Sequence, residues 1–231
     1  RRHCRNGPGP SPTTGARWST ILPVRELGGN RHNVFPVADG SAWTALRLNI
    51  IPDGGIARFR VWGAVQPDWS AVAADQIVDL FAVERGGVAL LANDEHYGSI
   101  RNLNRPGRGV NMGDGWETRR RREPGADWVI VRLGHPGIIR EVEVDTAHFR
   151  GNFPDRVSMQ AALVRGIADD ALESASVAWP LLLPEQKLSA DAVHRFKDQV
   201  ARLGPVSHLR MTIHPDGGVS RLRLIGTVAR P

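Results

Sequence analysis

Cysteine occurs once in the 231 residues, as Cys4, so no internal disulfide can form. That scarcity fits a reducing, cytoplasmic compartment. Tyrosine also occurs once, as Tyr97, and the aromatic share is 6%. Too few rings are present for the interleaved basic and aromatic surface that stacks nucleic-acid bases. No apolar run approaches the ~18 residues that would span a bilayer, which argues against a membrane anchor. Residues 1–16, "RRHCRNGPGPSPTTGA", lack the apolar centre of a secretory signal. They read as a basic, Pro/Gly-rich, disordered leader, foreign to the fold or left where the chain is a fragment.

Positive charge is plentiful, with a formal net charge of +6, but it is unevenly placed. Residues 1–35 carry six Arg against one Glu, whereas residues 36–231 are nearly balanced. A polyanion partner requires a positive body, so no nucleic-acid partner is expected. Glycine (25) and proline (16) are abundant, above their usual combined share of about 12%, and predict many turns and short strands.

A repeat organises the chain. "RLNIIPDGGIARFRVWG" (47–63) returns as "RMTIHPDGGVSRLRLIG" (210–226), matching Arg47 with Arg210, Arg58 with Arg221 and Arg60 with Arg223. Each copy predicts a hairpin, with proline and the glycine pair supplying the turn. A hairpin repeated at this distance implies two copies of one β-rich domain. Residues 67–231 read as the complete copy and residues 17–66 as a partial one, a truncated domain or one that docks on a partner.

Within the complete copy, residues 76–92 predict a strand or helical turn followed by a strand. "DWVIVRL" (127–133) and "GIIREVEVDTAHF" (137–149) predict adjacent strands, and residues 157–164 another. Residues 189–205 predict one short helix, with Val193, Phe196, Val200 and Leu203 on one face. Many strands and one helix make an all-β sandwich or jelly roll.

Residues 105–155, "RPGRGVNMGDGWETRRRREPGADWVIVRLGHPGIIREVEVDTAHFRGNFPD", closely resemble the core of the allantoicase family, and the twin hairpins resemble the ends of that family's two tandem repeats. The resemblance covers residues 17–231. It implies galactose-binding-like jelly-roll β-sandwich repeats, one complete and one partial here, in a homo-oligomer. It also implies hydrolysis of allantoate to ureidoglycolate and urea in purine catabolism. The family's first repeat carries its own D-G-W-E-T-R-R segment, which this chain lacks. The alternatives are a non-catalytic sandwich that binds a small ligand or carbohydrate, and an inactive fragment of the enzyme.

That reaction breaks a C–N bond at a carbon bearing a carboxylate and two ureido groups. It calls for a guanidinium clamp, an acid–base pair and polar groups that read urea amides. Glu117, His148 and Asp145 are the catalytic candidates: Glu117 as acid–base, His148 as proton shuttle, Asp145 as its orienter or as the base. Asp114, Trp116, Arg120, Arg122 and Asn152 are the substrate-binding candidates. Strand alternation lets only one pair of the run reach a pocket, Arg120/Arg122 or Arg119/Arg121. The competing reading makes Asp114 a turn cap and Glu117 the partner of a nearby arginine. No cofactor is expected, since His96, His135 and His214 are scattered and no spacing defines a metal site; the alternative is a divalent metal held by His148, Asp145 and Glu117.

Overall fold

The computed structural model describes residues 17–230, so expectations for residues 1–16 lie outside the described part. The chain divides into two compact units, Arg1–Arg58 and Phe59–Pro231. No helix among the described residues is long and apolar enough to cross a membrane.

The second unit is a β-sandwich built around one long strand. Strands β1 (Val78–Asp79), β2 (Val88–Ala92), β3 (Trp116–Glu117), β4 (Asp127–Asp145) and β5 (Arg156–Ala162) come first. Helix α1 (Leu172–Ser176) follows, then β6 (Leu181–Lys187), β7 (Val193–Phe196), β8 (Val206–His214), β9 (Gly218–Val219) and β10 (Arg221–Val228). The first half of β4 pairs with β2 and β8, and β8 continues through β5 to β6. Its second half pairs with β10 and β7, and β10 continues to β1. All these pairs are antiparallel, and a register shift between Arg132 and Gly137 marks the crossing of β4 from one layer to the other.

Residues 127–149 therefore do not form two neighbouring strands. Gly134–Gly137 lies inside one continuous strand, because each half finds its partners in a different layer. The core follows from side-chain alternation. Val129, Val131 and Leu133 of β4 meet Leu209, Met211 and Ile213 of β8, together with Val142 and Val144, and Leu222 and Leu224 of β10. Each fully buried aliphatic side chain of this kind stabilises by about 1.5–3 kcal/mol. The opposite face of β4 is covered too, with Trp128 and Ile130 packed beneath Leu172 and Trp179.

The helix expected over residues 189–205 is instead β7 and irregular chain. Val193–Phe196 pairs with Asp145–Val142, and Arg195 Nε donates to Glu143 Oε2 at 2.8 Å. The apolar spacing still serves the core, where Phe196 is buried and Val200 and Leu203 pack against it. Covering the open edge of β4 outweighs a weak helical preference. The one α-helix among the described residues lies at Leu172–Ser176.

The second Pro-Asp-Gly-Gly segment is an arch, not a hairpin. Its arms, β8 and β10, pair with opposite halves of β4 and lie in different layers. In the first unit, described residues 17–58 form no strand or helix, and Leu46, Leu48, Ile50 and Ile51 are exposed. The turn conformation is nevertheless the same in both copies: Gly54 and Gly217 have φ of +138° and +135°, and the Ile51–Pro52 and His214–Pro215 bonds are both cis. The turn is written locally, while the strands require a neighbouring ladder.

Candidate functional site

The site residues gather where β9 and β10 begin and β4 ends. Trp116 and Glu117 of β3 pair with Val219 and Gly218, and Glu117 also bridges to Gly98. Over this small sheet lies the turn that follows β4. Its Phe149 is fully buried, and its ring lies so close to Gly115 and Gly218 that a Cβ at either would meet it at 2.8 or 2.0 Å. Those two glycines let the turn sit flat on β3 and β9.

The loop of residues 103–115 closes over the other side. Asn102 Nδ2 donates to the Gly115 carbonyl at 2.9 Å, tying the loop's two ends together. Alternate residues of β10 hold its middle. Arg223 Nη2 donates to the carbonyls of Arg105 and Gly107 at 2.6 and 2.9 Å. Arg221, 3% exposed, donates through Nη2 to Asp114 Oδ2 at 2.8 Å and through Nη1 to the Ser220 carbonyl at 2.7 Å. Arg221 and Arg223 are the arginines that the repeat shares with Arg58 and Arg60. At Arg221 and Arg223 the planar fork lets one side chain hold two acceptors at once.

Asp114 is the loop's acid anchor. Burial works against its ionisation, but hydrogen bonds and charge from Arg221, with Arg105 at 2.9 Å, outweigh it and hold the carboxyl below the usual carboxylate range. Asp145 is also committed to structure, 3% exposed, with Oδ1 accepting from Ala147 N–H at 2.8 Å and Oδ2 from Arg108 Nε at 3.2 Å. It makes no hydrogen bond to the His148 ring among the described residues, and a different group meets that ring. That group is the Gly109 carbonyl, 2.8 Å from His148 Nε2. A carbonyl only accepts, so Nε2 carries a proton, and in the neutral ring Nδ1 presents the lone pair.

Glu117 and Asn152 meet directly, with Asn152 Nδ2 donating to Glu117 Oε1, and both are half-buried. The Asn152 carbonyl accepts from Gly218 N–H at 2.8 Å, which fixes it against β9. Trp116 is placed differently from expectation. It is fully buried in the main core, its Nε1 donates to the Asp94 carbonyl at 2.8 Å, and it has no exposed face to offer a ligand.

The arginine run divides by alternation. Arg119 Nε donates to Asp94 Oδ2 at 2.7 Å, and Arg121 Nε to Asp127 Oδ1 at 3.2 Å. Arg120 and Arg122 are not buried on that side, and among the described residues neither side chain makes a hydrogen bond or ion pair. Among the described residues no hydrogen bond or ion pair joins them to Glu117, His148 or Asn152. Arg108 is the guanidinium the sequence pattern did not reveal: it reaches Asp145 beside the His148 turn, with its side chain 58% exposed. Among the described residues no group of three or more His, Cys, Asp or Glu is arranged to hold a metal ion.

Comparison with known proteins bears on this arrangement. The family model for the allantoicase repeat matches residues 6–66 and 78–229. The chain is 56% identical over 219 residues to Probable allantoicase 2 of Burkholderia pseudomallei, covering 95% of this chain and 65% of that protein. It is 52% identical over 219 residues to Probable allantoicase of Pseudomonas syringae pv. syringae, covering 95% and 66%. The chain thus spans about 65% of the length of the first of these relatives. The crystal structure of allantoicase from Saccharomyces cerevisiae superposes with a TM-score of 0.57 at 40% identity, over 67% of this chain and 45% of that one.

Proposed function

The chain belongs to the allantoicase family, and we propose that it catalyses, or forms part of the protein that catalyses, hydrolysis of allantoate to ureidoglycolate and urea. What carries this reading is the 56% identity to a named allantoicase across 95% of the chain. The site geometry supports it with the residue types that the reaction needs.

In this reading Arg108 binds the substrate carboxylate, and its Asp145 partner keeps the guanidinium in place. His148 Nδ1 takes the proton from one ureido N–H. The electron pair left on that nitrogen forms a C=N bond as the C–N bond to the other ureido group breaks. The proton on His148 passes to the departing nitrogen, so free urea leaves and the imidazole returns to its starting state. Glu117 then takes a proton from water as its oxygen adds to the imine carbon, and delivers that proton to the imine nitrogen. The sum is allantoate plus water to ureidoglycolate plus urea. Asn152 holds Glu117 and offers its remaining amide N–H to a urea carbonyl.

A cytoplasmic location and a homo-oligomeric assembly belong to the same proposal. The test is urea release from allantoate by purified protein, with and without added divalent cation, with molar mass in solution measured in parallel. Release that scales with protein and is lost in site variants supports the reading. A folded sample whose oligomeric state matches an active relative, yet releases no urea under either condition, overturns it.

A further inference from the structure

In the second unit only two described non-glycine residues have positive φ, and they are bonded to each other. His148 lies at φ +71° and Asp191 at +50°. His148 N–H donates to Asp191 Oδ1 at 2.8 Å, Arg150 Nε to Asp191 Oδ2 at 3.2 Å, and Asp191 N–H to the Phe149 carbonyl at 3.2 Å. Three successive residues of the turn are thus tied to one aspartate 43 positions beyond His148. Hydrogen bonding from His148 N–H is the main cause holding the Asp191 carboxyl below the usual range.

Left-handed backbone is the natural place for Gly or Asn. His148 is a side chain that this backbone tolerates at some cost, and at this φ its ring reaches the loop of residues 103–115. The left-handed backbone aims the ring at the loop, where the Gly109 carbonyl captures Nε2. The loop bearing Asp191 is itself fixed, because Thr146 Oγ1 donates to the Ser189 carbonyl at 2.7 Å and Ala192 N–H donates back to Thr146 Oγ1 at 3.1 Å.

We infer that Asp191 is a positioning residue for His148: it stabilises the left-handed turn that presents the imidazole with Nε2 protonated and Nδ1 free as base. The inference rests on the reading of His148 as the proton shuttle, and its test separates the two. Nitrogen–proton correlation spectra of the histidine side chains report the tautomer directly, with the His148 signals assigned by their loss in His148→Asn.

In the unaltered protein His148 is expected almost entirely as the Nε2–H form. Asp191→Ala is expected to lower that preference at least threefold and speed exchange of the His148 amide proton at least tenfold. Asp191→Asn, which keeps the acceptor oxygen, is expected to restore both. On allantoate, Asp191→Ala should lower kcat at least tenfold with KM within threefold, and Asp191→Asn should recover most of it. If Asp191→Ala lowers thermal stability while the tautomer and amide exchange of His148 stay unchanged, Asp191 is a loop fastener only and the inference fails. If His148→Asn turns over allantoate at the unaltered rate, the catalytic reading fails instead, while the tautomer measurement still decides the role of Asp191.

Discussion

Arg221 Nη2 donates to Asp114 Oδ2 across 2.8 Å, so a buried guanidinium at the start of β10 fastens the loop that carries Gly109. Removing one member of a buried pair leaves the other charge uncompensated, which costs about 3–5 kcal/mol. Asp114 is partly exposed and keeps Arg105 as a second partner, so Arg221→Met is expected below that range, at about 2 kcal/mol, the scale of the charged hydrogen bonds it removes. Denaturant unfolding measures this, and a loss below about 1 kcal/mol, the scale of an exposed pair, would show that the loop does not depend on Arg221. The same pair gives acid sensitivity. The folded Asp114 pKa lies below its usual value of about 3.9, so its stabilisation is complete above that value and is lost as pH falls through the lower folded one. Asp114→Asn should flatten the decline in stability below about pH 4, and an unchanged slope would remove Asp114 as a contributor.

The four arginines make a second prediction. Arg121 is paired with Asp127, which is 2% exposed, while Arg120 and Arg122 have no such partner among the described residues. Arg121→Ala is expected to destabilise by about 2–3 kcal/mol, because it leaves the buried Asp127 carboxylate with the Asn93 amide but no countercharge. The double change Arg120→Ser, Arg122→Ser should stay within about 0.5 kcal/mol, as exposed changes do, and should leave KM for allantoate unaltered. A rise in KM above threefold would return the pair to the substrate site.

Glu117 and His148 divide the proposed chemistry between elimination and hydration. Glu117→Gln keeps an acceptor for Asn152 but cannot take a proton from water, and His148→Asn removes the shuttle while suiting the left-handed backbone. Each should lower kcat at least tenfold, about 1.4 kcal/mol of barrier, with unfolding midpoints close to the original. Asn152→Ala frees Glu117 from its partner and should have a smaller effect. Steady-state urea release decides the matter: unaltered rates in both Glu117→Gln and His148→Asn would remove these two residues from the mechanism.

What could be read from the sequence was what is encoded locally. The Pro-Asp-Gly-Gly turns, β5 and the strand after Gly86-Gly87 all follow from short-range pattern. What escaped depends on pairing between distant segments. Nothing local in Gly134–Gly137 says that β4 runs on through it, and nothing in residues 193–196 says that an open edge waits at Val142–Asp145. Trp116 illustrates the same limit: a tryptophan between two acids looks exposed until β9 and the core close over it. Arg221 and Arg223 were detectable, because the repeat keeps both while the intervening residues change.

That contrast between identical turns and different surroundings yields the last prediction. Gly218 and Gly55 occupy the same place in the two Pro-Asp-Gly-Gly segments. A Cβ on Gly218 would lie 2.0 Å from the Phe149 ring, whereas one on Gly55 meets nothing within 4 Å. Neither has the positive φ of its preceding glycine, so the difference is one of space alone. Gly218→Ala must push Phe149 out of a fully packed position, and overpacking of that kind costs about 1–3 kcal/mol. Gly55→Ala should fall within about 0.5 kcal/mol. The displaced ring belongs to the residue after His148, so Gly218→Ala should also lower urea release, and Phe149→Leu in the same chain should recover part of the lost stability by making room. Equal unfolding midpoints for the two alanine variants would mean that Phe149 does not rest on Gly218, and with it would go the account of how the turn is seated on β3 and β9.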